Sequence, residues 1–175
     1  MTWNRTVREW NSTLEERERV YACDTVLPDH NDAYFRALTV SATPSTVFRW
    51  LCQMRVAPYS YDWIDNRGRR SPRELSDGVE ILEPGQRFMS VFGLVSFEQD
   101  AHLTLELASP GRFPPLAISY CVLDSGDATS RLVVKLVVQY GPGLFDRVTR
   151  LSLPTLDWIM MRKQLLNMKA LAEAT

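Results

Sequence analysis

The chain has 175 residues, 45% of them hydrophobic and 23% charged, with a formal net charge of −1 and a pI near 6.1. At roughly 100–200 residues per domain, this is one domain with enough chain to bury a full core unaided by disulfides or metals. The slightly acidic balance argues against a general polyanion binder. No apolar run approaches the roughly 20 residues of a membrane span. The opening MTWNRTVREW has no apolar stretch of the kind a signal peptide needs, and the three separated cysteines, Cys23, Cys52 and Cys121, form no C-x-x-C pair. The expectation is a cytoplasmic protein with free, mostly buried thiols.

The first 31 residues are expected to form an N-terminal helical arm, ahead of a domain spanning 32–175. Ser12 and Thr13 stand three residues before Glu15 and Glu16, a capping-box pattern. It predicts a short charged helix over TLEERERVYA, which Pro28, Asp29 and Asn31 then break. Trp3, Trp10 and Leu14 are the side chains expected to hold this arm against the domain. Residues 33–40, rich in aromatic and β-branched types, predict a strand. Thr43-Pro44 then supplies an N-cap and a first-turn proline. Val47, Trp50, Leu51 and Met54 follow at i, i+3, i+4 and i+7, one face of an amphipathic helix that Ala57-Pro58 ends. YSYDWIDN (59–66) predicts a second short helix or turn. Residues 67–78 are a polar loop holding Arg67, Arg69, Arg70 and Arg73, suited to solvent or to the rim of an anionic group.

From there to about Tyr140 the pattern is β. Residues 88–97 hold one or two strands. Leu103, Leu105 and Leu107 alternate with His102, Thr104 and Glu106; Ile118, Tyr120 and Val122 continue the period of two. Asp124-Ser125-Gly126-Asp127 is a hairpin turn, and Leu132, Val134, Leu136, Val138 and Tyr140 alternate beyond it. These are signs of an antiparallel meander with one wet and one dry face. The last 25–30 residues predict a helix, with Thr155 as a possible cap and Asp157 in its first turn. Trp158, Met161, Leu165, Met168 and Ala172 form its stripe, widened by Ile159 and Leu166.

Few chemical motifs are present. The two histidines, His30 and His102, have no zinc-ligand spacing, and no glycine-rich phosphate loop occurs, so no metal, nucleotide or other cofactor is expected. The arginine loop lacks aromatic interleaving, so no nucleic-acid partner is expected. Asp62 and Asp65, three apart, would share one side of a helix and could act as an acid–base pair or simply cap and solvate it.

The order of elements is strand, two short helices, antiparallel strands and a long C-terminal helix, an α+β pattern. RALTVSATPSTVFRWLCQMRVAPYSYDWIDN (36–66) and LDWIMMRKQLLNMKALAE (156–173) resemble the opening and the terminal helix of START-like proteins. This superfamily is also called SRPBCC or polyketide cyclase-like. The resemblance covers about residues 33–173. It implies the helix-grip fold, a curved antiparallel sheet wrapped around the terminal helix with an apolar cavity between them. Members bind lipids, sterols, polyketides and other hydrophobic molecules, and some catalyse cyclisation or dehydration. For this chain the implied function is binding of a hydrophobic small molecule. A cyclase or dehydratase in the same cavity and a ligand-free interaction module are the alternatives, and a homodimer is compatible with the sequence. Tyr59, Tyr61, Trp63, Phe92 and Tyr120 are candidate walls with polar tips. Leu105 and Leu136 from the strands, and Trp158, Met161 and Leu165 from the helix, complete the candidate lining. No residue is assigned a catalytic role.

Overall fold

A seven-stranded sheet, curved and mostly antiparallel, organises the chain. The computed structural model describes residues 3–66, 68–109, 111 and 113–175. Arg67 and Pro110 lie outside them, as does the side chain of Asp65. In chain order come α1 (Trp3–Arg8), β1 (Glu9–Trp10), α2 (Leu14–Glu18), α3 (Ala22–Val26), β2 (Asp32–Val40), α4 (Pro44–Cys52) and α5 (Asp62–Asp65). They are followed by β3 (Arg87–Phe88), β4 (Phe92–Glu98), β5 (His102–Leu107), β6 (Leu116–Asp124), β7 (Ser130–Val138) and α6 (Leu144–Ala172). The strand order is β1-β2-β7-β6-β5-β4-β3, with β1 parallel to β2 and every other pair antiparallel. The α+β helix-grip architecture expected from the sequence is therefore present.

Period-two alternation puts Tyr34, Leu38, Leu105, Ile118, Tyr120, Val134 and Leu136 on the inner face, where they share one core with α4 and the second half of α6. α4 forms as its caps direct. The Thr43 hydroxyl accepts the Thr46 N–H at 3.3 Å and Pro44 opens the helix. Its Val47, Phe48, Trp50 and Leu51 are buried.

The outer face is not wet throughout, as the alternation implied. Thr104, Ser119 and Lys135 are buried there, because the N-terminal segment lies across β2, β7 and β6. Tyr21 and Cys23 pack with Phe35, Ala37, Ala117, Val133 and Val137 in a second small core. The buried hydroxyls find partners: Cys23 N–H donates to Ser119 Oγ at 2.9 Å, and Ser119 and Thr104 bond each other at 2.8 Å. Lys135 Nζ lies between the rings of Tyr21 and Phe35 and pairs with Asp24 at 2.6 Å. A covering segment elsewhere in the chain leaves no mark on a strand's own pattern beyond the small size of Ala117, Ser119 and Cys121.

The expected single helix over TLEERERVYA is split by an extended stretch into α2 and α3. Trp3, though mostly exposed, packs edge-on to Trp158 at 5.6 Å and Trp10 is partly buried against the main core, whereas Leu14 is mostly exposed; Val7, Tyr21 and Cys23 are further, buried anchors. Glu16 is the polar anchor. Its carboxylate accepts Thr13 N–H at 2.7 Å, completing the capping box, and takes both Nε and Nη2 of Arg131 at 2.7 and 3.1 Å. Burial acts to raise the Glu16 pKa, but the bonds from Arg131 and Thr13 outweigh it and hold it below the ordinary 4.5. Because the folded value is depressed, the stabilisation is present above pH 4.5 and is lost as pH falls through the folded value. Glu16→Gln is expected to cost about 1.5–3 kcal/mol at pH 7, the range for a hydrogen bond to a charged group. The difference from the parent should shrink as urea unfolding is repeated toward pH 3. An equal difference at both pH values would contradict this account.

Candidate functional site

The site expected from the sequence lies between the inner sheet face and α6. Six of the ten candidate residues meet there: Tyr59, Leu105, Tyr120, Leu136, Met161 and Leu165 are all buried in the main core. Phe92 is partly buried against it. Tyr61 and Trp158 are half-buried at its margin. Trp63 is 75% exposed and points away from the core. The reason is local. α5 is a single turn, so only one of its sides can face inward, and the Tyr59 turn before it already occupies that space.

Within this apolar interior runs a set of paired polar groups. Tyr120 on β6 donates its hydroxyl to Gln164 Oε1 of α6 at 2.9 Å. Gln164 Nε2 donates to the Pro58 carbonyl at 2.6 Å. Three residues further along α6, Asn167 Nδ2 donates to the Tyr59 carbonyl at 2.9 Å. Tyr59 itself has φ of 59°, a left-handed conformation that an aromatic residue seldom adopts. Two amides from α6 thus clamp a strained turn, and the Tyr59 ring packs edge-on to Trp50 at 6.0 Å. Burial raises the Tyr120 pKa, so its hydroxyl stays protonated and remains a donor.

Nearer the start of α6 the groups are charged. Arg36 is 1% exposed and points inward from β2, where its Nη2 reaches Asp157 Oδ2 of α6 at 2.6 Å. Burial works against both charges, lowering the Arg36 pKa and raising that of Asp157, while each offsets the other's shift in part. Tyr34 lies beside them; its ring has the guanidinium of Arg8 over it at 5.1 Å and that of Arg36 at 5.9 Å. The Tyr34 and Tyr140 hydroxyls bond each other at 2.7 Å. Arg8 pairs with Asp32. Among the described residues three buried donors, Arg36 Nε, Tyr59 Oη and Trp158 Nε1, have no hydrogen-bond partner.

Neither Arg36 nor Gln164 was singled out from the sequence, although a signal existed. Arg36 shares strand parity with Tyr34, Leu38 and Val40, and Gln164 sits in the Met161–Leu165–Met168 stripe. A polar side chain at an inward position marks a place where a partner must wait.

α6 runs 29 residues, within the expected length, but Thr155 lies inside it and not at its cap. Gly143 is the N-cap, and Asp146 accepts the Gly141 N–H at 2.9 Å. Asp157 is consequently mid-helix, where it serves Arg36. Pro154 is interior and cannot donate to the carbonyl one turn back, leaving a weak point in the helix. The halves differ in their anchoring. From 144 to 160 only Thr149 and Pro154 are buried, whereas Met161, Gln164, Leu165, Met168 and Ala172 are buried beyond. Ile159 and Leu166, expected to widen the stripe, are 40% and 36% exposed.

The Asp62 carboxylate accepts Ser71 N–H at 2.9 Å and Ser71 Oγ–H at 2.6 Å, so it acts as a loop staple. Burial pushes the thiols up, to about 11 for Cys23 and about 12 for Cys52 and Cys121, which leaves almost no thiolate at neutral pH. No group of three or more His, Cys, Asp or Glu is placed to hold a metal ion among the described residues, and none of their helices is long and apolar enough to cross a membrane. Two open clefts lie at the outer surface. One, of about 330 Å³, is lined by Arg55, Ser76, Asp77 and Arg87 among others; the second, of about 290 Å³, by Arg19, Tyr21, His102 and Cys121 among others. None of the ten candidate residues lines either.

No protein-family model matches the chain, and no curated protein matches it. Solved structures do. A START superfamily protein from Mycobacterium smegmatis superimposes with a TM-score of 0.50 at 14% identity, over 82% of this chain and 99% of that one. An aromatase/cyclase from Streptomyces sp. R1128 gives 0.51 at 15% identity, over 81% and 93%. A hypothetical protein from Helicobacter pylori gives 0.54 at 11% identity, over 87% and 95%. The likeness is distant and shows the fold: the chain has a START-like, helix-grip architecture.

The charged pair is open to a direct test. Asp157→Asn is expected to destabilise the protein by about 3–5 kcal/mol in urea unfolding, because it strands the buried Arg36 charge. Replacing both partners, Arg36→Met with Asp157→Leu, should recover most of that loss. A double variant no more stable than the single one would show that the pair is not the source of the effect.

Proposed function

We propose that this protein binds a hydrophobic small molecule between the inner sheet face and α6, with an acceptor group on the ligand turned toward Arg36 and Trp158. One observation carries the reading: among the described residues, the buried donors Arg36 Nε and Tyr59 Oη in the interior, and Trp158 Nε1 at its margin where Trp3 packs edge-on at 5.6 Å, have no hydrogen-bond partner. Buried donors of this kind are uncommon and costly, and a ligand oxygen would satisfy them. Apolar burial against Leu136, Tyr120 and Met161 would supply the affinity and the polar groups the orientation. Admission of a ligand requires the first half of α6 to swing outward, with Pro154 as the weak point. The fold is shared with the aromatase/cyclase from Streptomyces sp. R1128, which is in keeping with an interior able to take up apolar molecules.

Native mass spectrometry of freshly purified protein, followed by organic extraction, tests this. The expected result is a stoichiometric extra mass, released on denaturation and identified as an apolar molecule bearing a carbonyl, carboxylate or hydroxyl. Arg36→Met with Asp157→Leu should lower its occupancy several-fold while the protein stays folded. A chain that carries no extra mass and also leaves the fluorescence of added 1-anilinonaphthalene-8-sulfonate unchanged would contradict the proposal.

A further inference from the structure

The first half of α6 turns an apolar stripe outward. Leu144, Val148, Leu151 and Ile159 follow one another around one side of the helix, with Phe145 and Leu156 at its edge, and all six are exposed. Leu144 is 78% and Leu151 83% exposed. Phe113, from the β5–β6 connection, extends the surface and packs edge-on to Phe145 at 6.5 Å. On the other flank, Ser60 Oγ approaches Met160 Sδ at 3.8 Å, and Met160 shares a helix side with Leu156. That contact brings the residues just before the exposed Trp63 and Ile64 beside the Leu156 edge of the stripe. Isolated exposed apolar residues are ordinary, but a continuous surface of this extent marks an interaction site.

The charges around it select the partner. Between Leu144 and Leu166 the basic residues Arg147, Arg150, Arg162 and Lys163 are all exposed; Arg150 is turned to Asp32 at 3.5 Å and to the Tyr140 ring, and Arg162 lies over the ring of Trp10, so Arg147 and Lys163 carry the surface charge. The two acids are partly buried and engaged, Asp146 with the Gly141 N–H and Asp157 with Arg36. Beyond Ile64, exposed Arg69, Arg70 and Arg73 face only one exposed acid, Glu74, within 68–74. A second copy laid antiparallel on this stripe would bring Arg147 against Lys163, and a parallel one would set each basic residue near its own copy. Both arrangements place like charges together. An anionic lipid surface meets every one of these features: apolar side chains enter the acyl boundary, tryptophan sits at headgroup level, and basic residues meet the phosphates.

We infer that this face of the protein docks on anionic bilayers, with α6 lying in the plane of the membrane surface. The inference is independent of what the interior holds.

Sedimentation of the full chain with phosphatidylcholine vesicles, and with vesicles containing phosphatidylglycerol as well, decides it. The protein is expected to pellet with the anionic vesicles only, and to be released about tenfold when NaCl rises from about 0.1 M to about 0.5 M. Leu151→Asp should reduce binding at least about tenfold with thermal unfolding unchanged, since the side chain is solvent-exposed. Arg147→Glu, which alters no apolar contact, should weaken binding and flatten its salt dependence. Failure to pellet with either vesicle would overturn the inference, as would equal binding to both. So would a concentration-dependent dimer in ultracentrifugation that Leu151→Asp dissolves.

Discussion

The docking of α6 depends on one constraint: polar groups enclosed between the sheet and the helix need partners, and two of them find theirs on the opposite wall. Tyr120 finds Gln164, and Arg36 finds Asp157. Each bond joins sheet to helix across the core, so together they fix how far along and at what rotation α6 docks. Apolar packing alone would tolerate a one-turn slip, because leucine and methionine stripes repeat. Charged and amide partners do not, since a slip would leave both sides buried and unpaired. The buried ion pair is a poor source of net stability by comparison with apolar packing; its effect is to make wrong dockings costly.

The same constraint divides α6 in two. Its second half is tied by five buried side chains and by the amides of Gln164 and Asn167, which also hold the strained Tyr59 turn. Its first half is held by the buried Thr149 and Pro154, the partly buried Leu153, the Asp157 carboxylate, the Trp158 ring on Trp3 and the Arg150–Asp32 pair, and has an apolar outer face. A helix half that buries little on one side and exposes apolar surface on the other is ready to exchange one environment for another. The ligand reading and the membrane reading draw on this one element from its two sides, the first from its unpaired inner donors and the second from its outer stripe.

Much of the fold was legible because period and punctuation agreed. Thr43-Pro44 capped the predicted helix, the alternation through Leu103–Leu107 and Leu132–Val138 marked strands, and the order of elements matched a helix grip. What escaped was tertiary. Whether the outer sheet face meets water depends on a segment about a hundred residues away, and only the small residues Ala117 and Ser119 hinted at a cover. Thr155 read as a cap with Asp157 in the first turn, yet α6 starts at Leu144 and runs on through Pro154. The candidate lining was chosen for bulk and aromaticity, which located the core but could not separate Trp63, on a one-turn helix, from Tyr120, on a central strand. The residues that organise the interior, Arg36 and Gln164, were visible as polar interruptions of inward positions.

The central claim is that α6 has a firmly docked second half and a loosely docked first half. Hydrogen–deuterium exchange resolved along the helix tests it most directly. The account predicts that amides of 146–156 exchange about two orders of magnitude faster than those of 161–172, with the step near Pro154 and Asp157. Uniform protection along all of α6 would contradict it, and would mean that the helix opens only when the whole protein unfolds.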